Sequence, residues 1–135
     1  MKKITLTELC AQVGVLIQDS DLNDTNFPSV DQSALNKPLI MRVLMDTDST
    51  KDILKSIRRA KGAVGPADIF DMVSSTEKDE RSGKISYVAF GSPHLRDGKE
   101  YYPCLRIKDN KAVLTLEHNN HRWRDGWVIL AKAKV

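Results

Sequence analysis

Leu6, Leu9, Cys10, Val13, Leu16 and Ile17 recur at the spacing of one helical face and predict a helix over roughly 6–18. Thr5 and Glu8 stand at its start in a capping-box pattern, in which a hydroxyl and a carboxylate each satisfy a free backbone donor. Residues 39–45 are apolar apart from Arg42, as expected of a buried strand. Ser49 then precedes a second amphipathic segment over about 50–61, whose buried face is Ile53, Leu54, Ile57 and Ala60. Gly62 stops that helix, and Pro66 opens a short third one through Ile69, Phe70, Met72 and Val73.

From Lys84 onward the pattern changes to a period of two, and 85–90, 101–108, 111–118 and 127–134 read as strands. Asp109-Asn110 supplies a two-residue turn, so Lys108 pairs with Lys111, Ile107 with Ala112, Arg106 with Val113 and Leu105 with Leu114. Cross-strand partners share a face. Leu105, Ile107, Ala112 and Leu114 then form a core face, and Tyr102, Cys104, Arg106, Lys108 and Lys111 lie on the other.

Residues 19–37 are rich in Asp, Asn and Ser, which favour turns; a stretch this long is a functional loop or hides a short helix. Asp19, Asp21 and Asp24 have a spacing similar to a calcium loop, but the central glycine and terminal glutamate are absent. Residues 74–83 form a polar loop and a candidate hinge. Together the elements predict one α+β domain over 1–135, with N-terminal helices packed on a C-terminal four- to five-stranded antiparallel sheet. Its second face would be open to solvent or a ligand.

Charge sharpens this division. Residues 1–80 hold ten Lys/Arg and thirteen Asp/Glu, a net of −3, and residues 81–135 hold eleven and five, a net of +6. Positive charge gathered in one half is a footprint for a polyanion, unless the two halves neutralise each other in three dimensions. Cys10 and Cys104 lie far apart in apolar patterns, which points to two buried thiols in a reducing compartment. Glu8 and Gln12 interrupt the N-terminal apolar stretch, so a signal peptide is not expected and the location expected is cytoplasmic. No apolar run is long enough to cross a bilayer, and no membrane partner is expected.

Gly62-Ala63-Val64-Gly65 lies in the order strand, helix, Gly-x-x-Gly, helix, strand, strand, which is similar to the core of KH domains over roughly 38–108. That resemblance implies a loop clamping single-stranded nucleic acid. Ala63-Val64 carries no basic residue, and two strands follow where the family has a helix. The preferred reading makes Gly62 a helix cap and Gly65-Pro66 the entry to the next helix.

Residues 117–126 gather His118, His121, Arg122, Trp123 and Arg124 between two strands. For a metal, only Cys104 and His94 could complete the ligands, at no diagnostic spacing, and neither a metal site nor a cofactor is expected. A nuclease of the His-Asn-His type needs a helix after the first histidine, and a strand follows here. A metal-independent ribonuclease would use His118 or His121, with His94 or Glu117 as the second proton-transfer group. The sequence has no phosphate-binding Gly-rich loop, dinucleotide fingerprint, paired-cysteine zinc spacing or nucleophile elbow.

The reading favoured is a small non-enzymatic binding protein contacting nucleic acid or an acidic protein surface through a basic sheet face and the loop 118–125. Its contacts would be Arg106, Lys108, Lys111, Arg122 and Arg124, with Tyr102 and Trp123 as stacking platforms. Arg58, Arg59 and Lys61 form a secondary cluster, part of which the helix dipole already explains. The alternatives are a regulatory protein that docks on a protein partner, its acidic loop 19–37 sharing the contact, and the small ribonuclease.

Overall fold

In the computed structural model the elements run β1 (Lys3–Ile4), α1 (Leu6–Val13), β2 (Val15–Ile17), β3 (Val30–Asp31), a 3-10 turn (Gln32–Ala34), β4 (Leu39–Val43) and α2 (Thr50–Arg59). They continue with β5 (Ala63–Pro66), α3 (Ile69–Ser74), β6 (Ser86–Val88), β7 (His94–Arg96), β8 (Lys99–Lys108), β9 (Lys111–His118) and β10 (Trp127–Ala133). The structure describes all residues except 1, 36–38, 44–48, 60–62, 76–85, 109–110, 119–122, 124–126 and 134–135. Of residues 34, 39–43, 63–64, 108 and 133 it describes the backbone alone.

The capping box forms as expected: Thr5 Oγ1 accepts from the Glu8 amide at 3.1 Å, and Glu8 Oε1 accepts from the Thr5 amide at 3.1 Å. The helix it starts is shorter than predicted. Gly14 takes a left-handed φ of 75° and ends α1, as glycine does without the penalty of a Cβ. Val15, Leu16 and Ile17 then run on as a strand, pairing with Ala112, Val113 and Leu114 of β9. The apolar stripe that suggested one helix therefore serves two elements.

The predicted antiparallel sheet of four or five strands is replaced by a mixed sheet with eight strands among the described residues. Its order is β2-β9-β8-β6-β10-β4, with β5 added on β10 and β7 on β8. The β2/β9 and β6/β10 pairs are parallel and the others antiparallel. Three of these strands come from the helix-rich half: β4 lies in the segment read as a strand, whereas β2 and β5 fall where helix or a helix-joining segment was expected. Short apolar runs do not distinguish helix from strand by periodicity; here they are strands because β9 and β10 offer them edges. β10 uses both edges, with Lys132 opposite Leu39 of β4 on one and Gly65 of β5 on the other.

The β8–β9 hairpin has the predicted register, with Lys108 opposite Lys111, Ile107 opposite Ala112, Arg106 opposite Val113 and Leu105 opposite Leu114. Its turn, Asp109-Asn110, lies outside the described residues. Residues 63–66, expected to join two helices, form the β5 ladder instead. Gly65 therefore lies in a sheet and not in a Gly-x-x-Gly loop, while Gly62 lies outside the described residues. The following helix starts at Ile69 rather than Pro66, capped by Asp68, whose carboxylate accepts from the Asp71 amide at 2.8 Å. Gly91 closes this corner: its amide donates to Ala67 O at 2.8 Å, and a Cβ there would lie 2.7 Å from the same oxygen.

Helices cover both faces of the sheet, in contrast to the single covered face expected. On one face Leu6, Leu9 and Cys10 of α1 and Ile69, Met72 and Val73 of α3 share a core with Tyr87, Leu105, Leu114 and Leu130. On the other, Ile53 and Ile57 of α2 pack on Val88, Phe90, Tyr102, Cys104, Trp123, Trp127 and Ile129. Full burial of such a side chain contributes about 1.5–3 kcal/mol, so two covered faces hold the short helices more firmly than propensity would. No helix among the described residues is long and apolar enough to cross a membrane.

Candidate polyanion-binding groove

α2 is positioned by its cap and by an aromatic cluster beneath it. The Ser49 hydroxyl accepts from the Asp52 amide at 3.2 Å and donates to the Asp52 carboxylate at 2.9 Å. Trp123 is fully buried, and its indole N–H donates to Thr50 Oγ1 at 2.9 Å, joining it to the first turn of α2. Its ring meets Trp127 and Phe90 edge to face, with centroids 4.9 and 5.2 Å apart, and Phe90 meets Tyr102 at 4.9 Å.

With Ile53 and Ile57 turned inward, the opposite side of α2 presents Lys51, Lys55, Arg58 and Arg59 to solvent. None of the four makes a salt bridge with any of the described residues. Lys51, Lys55 and Arg58 follow one helical stripe and line a groove of about 540 Å³. Leu54 also lines the groove, and Glu100 and Tyr102 enter it from β8. The Tyr102 hydroxyl donates to Glu100 Oε2 at 3.1 Å, and burial, reinforced by Glu100, pushes its pKa up to about 12.

The residues expected on an open basic sheet face are dispersed. Arg106 is half-buried, bonded to Glu117, with its guanidinium 4.9 Å from the centroid of the Trp127 ring. Small Ser86 stands between them in the cross-strand row and leaves room for that stacking. Lys111 is exposed at the hairpin end; Lys108 lies opposite it, its side chain outside the described residues. Tyr102 and Trp123 are core residues at 4% and 0% exposure, so neither offers a ring face for stacking. Arg122, Arg124, Lys61 and His121 lie outside the described residues. Arg58 and Arg59 are where the helix pattern put them. Lys51 and Glu100 were missed; the spacing 51, 55, 58 was a legible signal for the first, whereas Glu100 depends on the pairing of β8.

A second charged cluster lies on the other face of the β7–β8 hairpin. The hairpin itself was not predicted; its turn is Asp97-Gly98, with φ of 55° and 75°, the backbone of a tight two-residue hairpin. Arg96 Nη1 lies 3.2 Å from Asp19 and 3.1 Å from Asp21, with its guanidinium 4.4 Å from the Tyr101 ring centroid. These contacts, hydrogen bonding to Asp19 first among them, raise the Arg96 pKa. His94 Nε2 is 3.3 Å from Asp21, and the His94 ring meets Phe27. His94, Tyr101 and His118 form one cross-strand row, with the Tyr101 and His118 rings 5.1 Å apart.

Two carboxylates against one guanidinium leave this cluster net negative when His94 is neutral, which repels a phosphate. The cluster clamps the loop after β2, whose Asp19 and Asn23 side chains bind backbone amides at 2.9 and 2.8 Å. Among the described residues no group of three or more His, Cys, Asp or Glu is arranged to hold a metal. Comparison with protein-family models, curated proteins and solved structures gives no match to this chain.

Proposed function

We propose that this is a small non-enzymatic binding protein that contacts nucleic acid through the basic side of α2 and the groove beside it. The observation that carries this reading is the stripe Lys51, Lys55 and Arg58, exposed and without carboxylate partners among the described residues. Cations with no carboxylate partner among the described residues gain from neutralising phosphates, because each contact releases condensed counterions.

The test is fluorescence anisotropy with a labelled single-stranded oligonucleotide at several salt concentrations. Three phosphate contacts predict a slope of log K against log salt of about −2. The double variant Lys51→Glu/Lys55→Glu should bind at least about tenfold more weakly, while its unfolding free energy moves by no more than about 0.5 kcal/mol. Equal binding by the variant, or no binding by the parent protein at low salt, would remove the reading. RNA cleavage in the presence of a chelator, abolished by His118→Ala or His121→Ala, would favour the ribonuclease alternative.

A further inference from the structure

We infer that the groove between α2 and β8 is a nucleotide-sized site that holds a phosphate on Lys51, Lys55 and Arg58 and selects a base bearing an amino group through Glu100. The inference rests on the nucleic-acid reading above and adds to it a ligand conformation and a base preference. The groove, at about 540 Å³, falls within the size range of small-ligand sites. Its two walls differ in chemistry: three cations project from α2, and one carboxylate stands on β8.

A uniform rail of phosphates would meet repulsion at Glu100, so the groove does not suit the backbone of a duplex. A single nucleotide unit resolves the conflict, since its phosphate and its base edge are different groups at opposite ends. Glu100 is held ready for the base. Its Oε2 accepts from the Tyr102 hydroxyl, Tyr102 is itself fixed in the core, and Oε1 makes no bond to any described residue. An ionised carboxylate only accepts, so it pairs with an exocyclic amino group such as cytosine N4 and opposes the O4 carbonyl that uracil has at the same position.

Leu95 accounts for the remaining side of such a base. It is 69% exposed, the most exposed large apolar side chain among the described residues, and it lies directly opposite Glu100 in the β7–β8 pair. Cross-strand partners share a face, so Leu95 places apolar surface beside the carboxylate, where a base ring can rest.

Oligocytidylate and oligouridylate of equal length differ in this contact while sharing charge and backbone. The native chain should bind oligocytidylate at least about tenfold more tightly, the value of one hydrogen bond to a charged group. Glu100→Gln keeps an oxygen for the Tyr102 hydroxyl but adds an N–H that can serve uracil O4, so the preference should collapse towards one. Total affinity should hold or rise, because a negative charge has left the groove. Lys55→Glu should instead weaken both ligands and keep their ratio. Equal binding of the two polymers, or a preference that survives Glu100→Gln, would overturn the base assignment and leave the nucleic-acid reading standing. Absence of binding to either polymer at low salt would overturn both.

Discussion

On one face of the β7–β8 hairpin Arg96 is enclosed by Asp19 and Asp21 and stacked on Tyr101, while across the groove on the other face Lys51, Lys55 and Arg58 stand in solvent. The two sets differ in where their counter-charges lie. Arg96 and Lys132 belong to the basic half of the chain and are met by carboxylates of the acidic half, Asp19 and Asp21 in one case, Asp68 and Asp71 in the other. Arg106 is met by Glu117 of its own half. The basic stripe that finds no carboxylate partner among the described residues sits on α2, inside the half whose net charge is negative. Part of the charge asymmetry along the chain thus serves to hold its two halves together, at Arg96 and Lys132, and the candidate site lies where no such neutralisation is found among the described residues.

The largest effect expected concerns the support of the groove. Trp123→Ala should lower the unfolding free energy by about 3–5 kcal/mol in urea denaturation, since it empties a fully buried site and removes the bond to Thr50. Oligonucleotide affinity should fall with it, because α2 loses its seat. A smaller and opposite pattern is expected at the clamp. Arg96→Ala should cost about 1 kcal/mol, the scale of a partly exposed ion-pair network, with the loss shrinking as salt rises. It should leave oligonucleotide binding unchanged; a fall in affinity would mean that the two faces of the hairpin are not separate in function.

The smallest effect is a pH dependence at the second neutralised cation. Burial, together with the charge of Asp68, holds the Asp71 carboxyl above its usual range. As pH rises from the ordinary value of 3.8, the unfolded chain releases this proton before the folded one does, so stability falls until the folded group also ionises. Asp71→Asn should flatten that decline in urea titrations across the acid range while keeping an acceptor for the Asp68 amide, which Asp71 now accepts at 3.1 Å. A parallel curve for parent and variant would show that the Lys132 contacts already compensate the buried charge.

Local chemistry was readable along the chain. The capping box at Thr5 and Glu8, the Ser49 cap, the inward positions Ile53 and Ile57, and the Lys108–Lys111 hairpin register all rest on neighbours within a few residues. Arg58 and Arg59 were placed on the outer side of α2 by the same periodicity. Other features depended on partners far away in sequence. Val15–Ile17 is a strand because β9 lies beside it, β5 is a strand because β10 has a free edge there, and the outer face of Tyr102 and Cys104 is core because α2 lies over it. Arg106 lost its expected role to Glu117 and Trp127, and Trp123 became the seat of a helix rather than a platform for bases. The sequence alone determined which short segments prefer helix, turn or hairpin, because those preferences are properties of single residues and their near neighbours. Only the tertiary structure decided which apolar runs join one sheet, which face is covered and which cations keep their charge unmatched, because burial and Coulomb energy depend on distance in space.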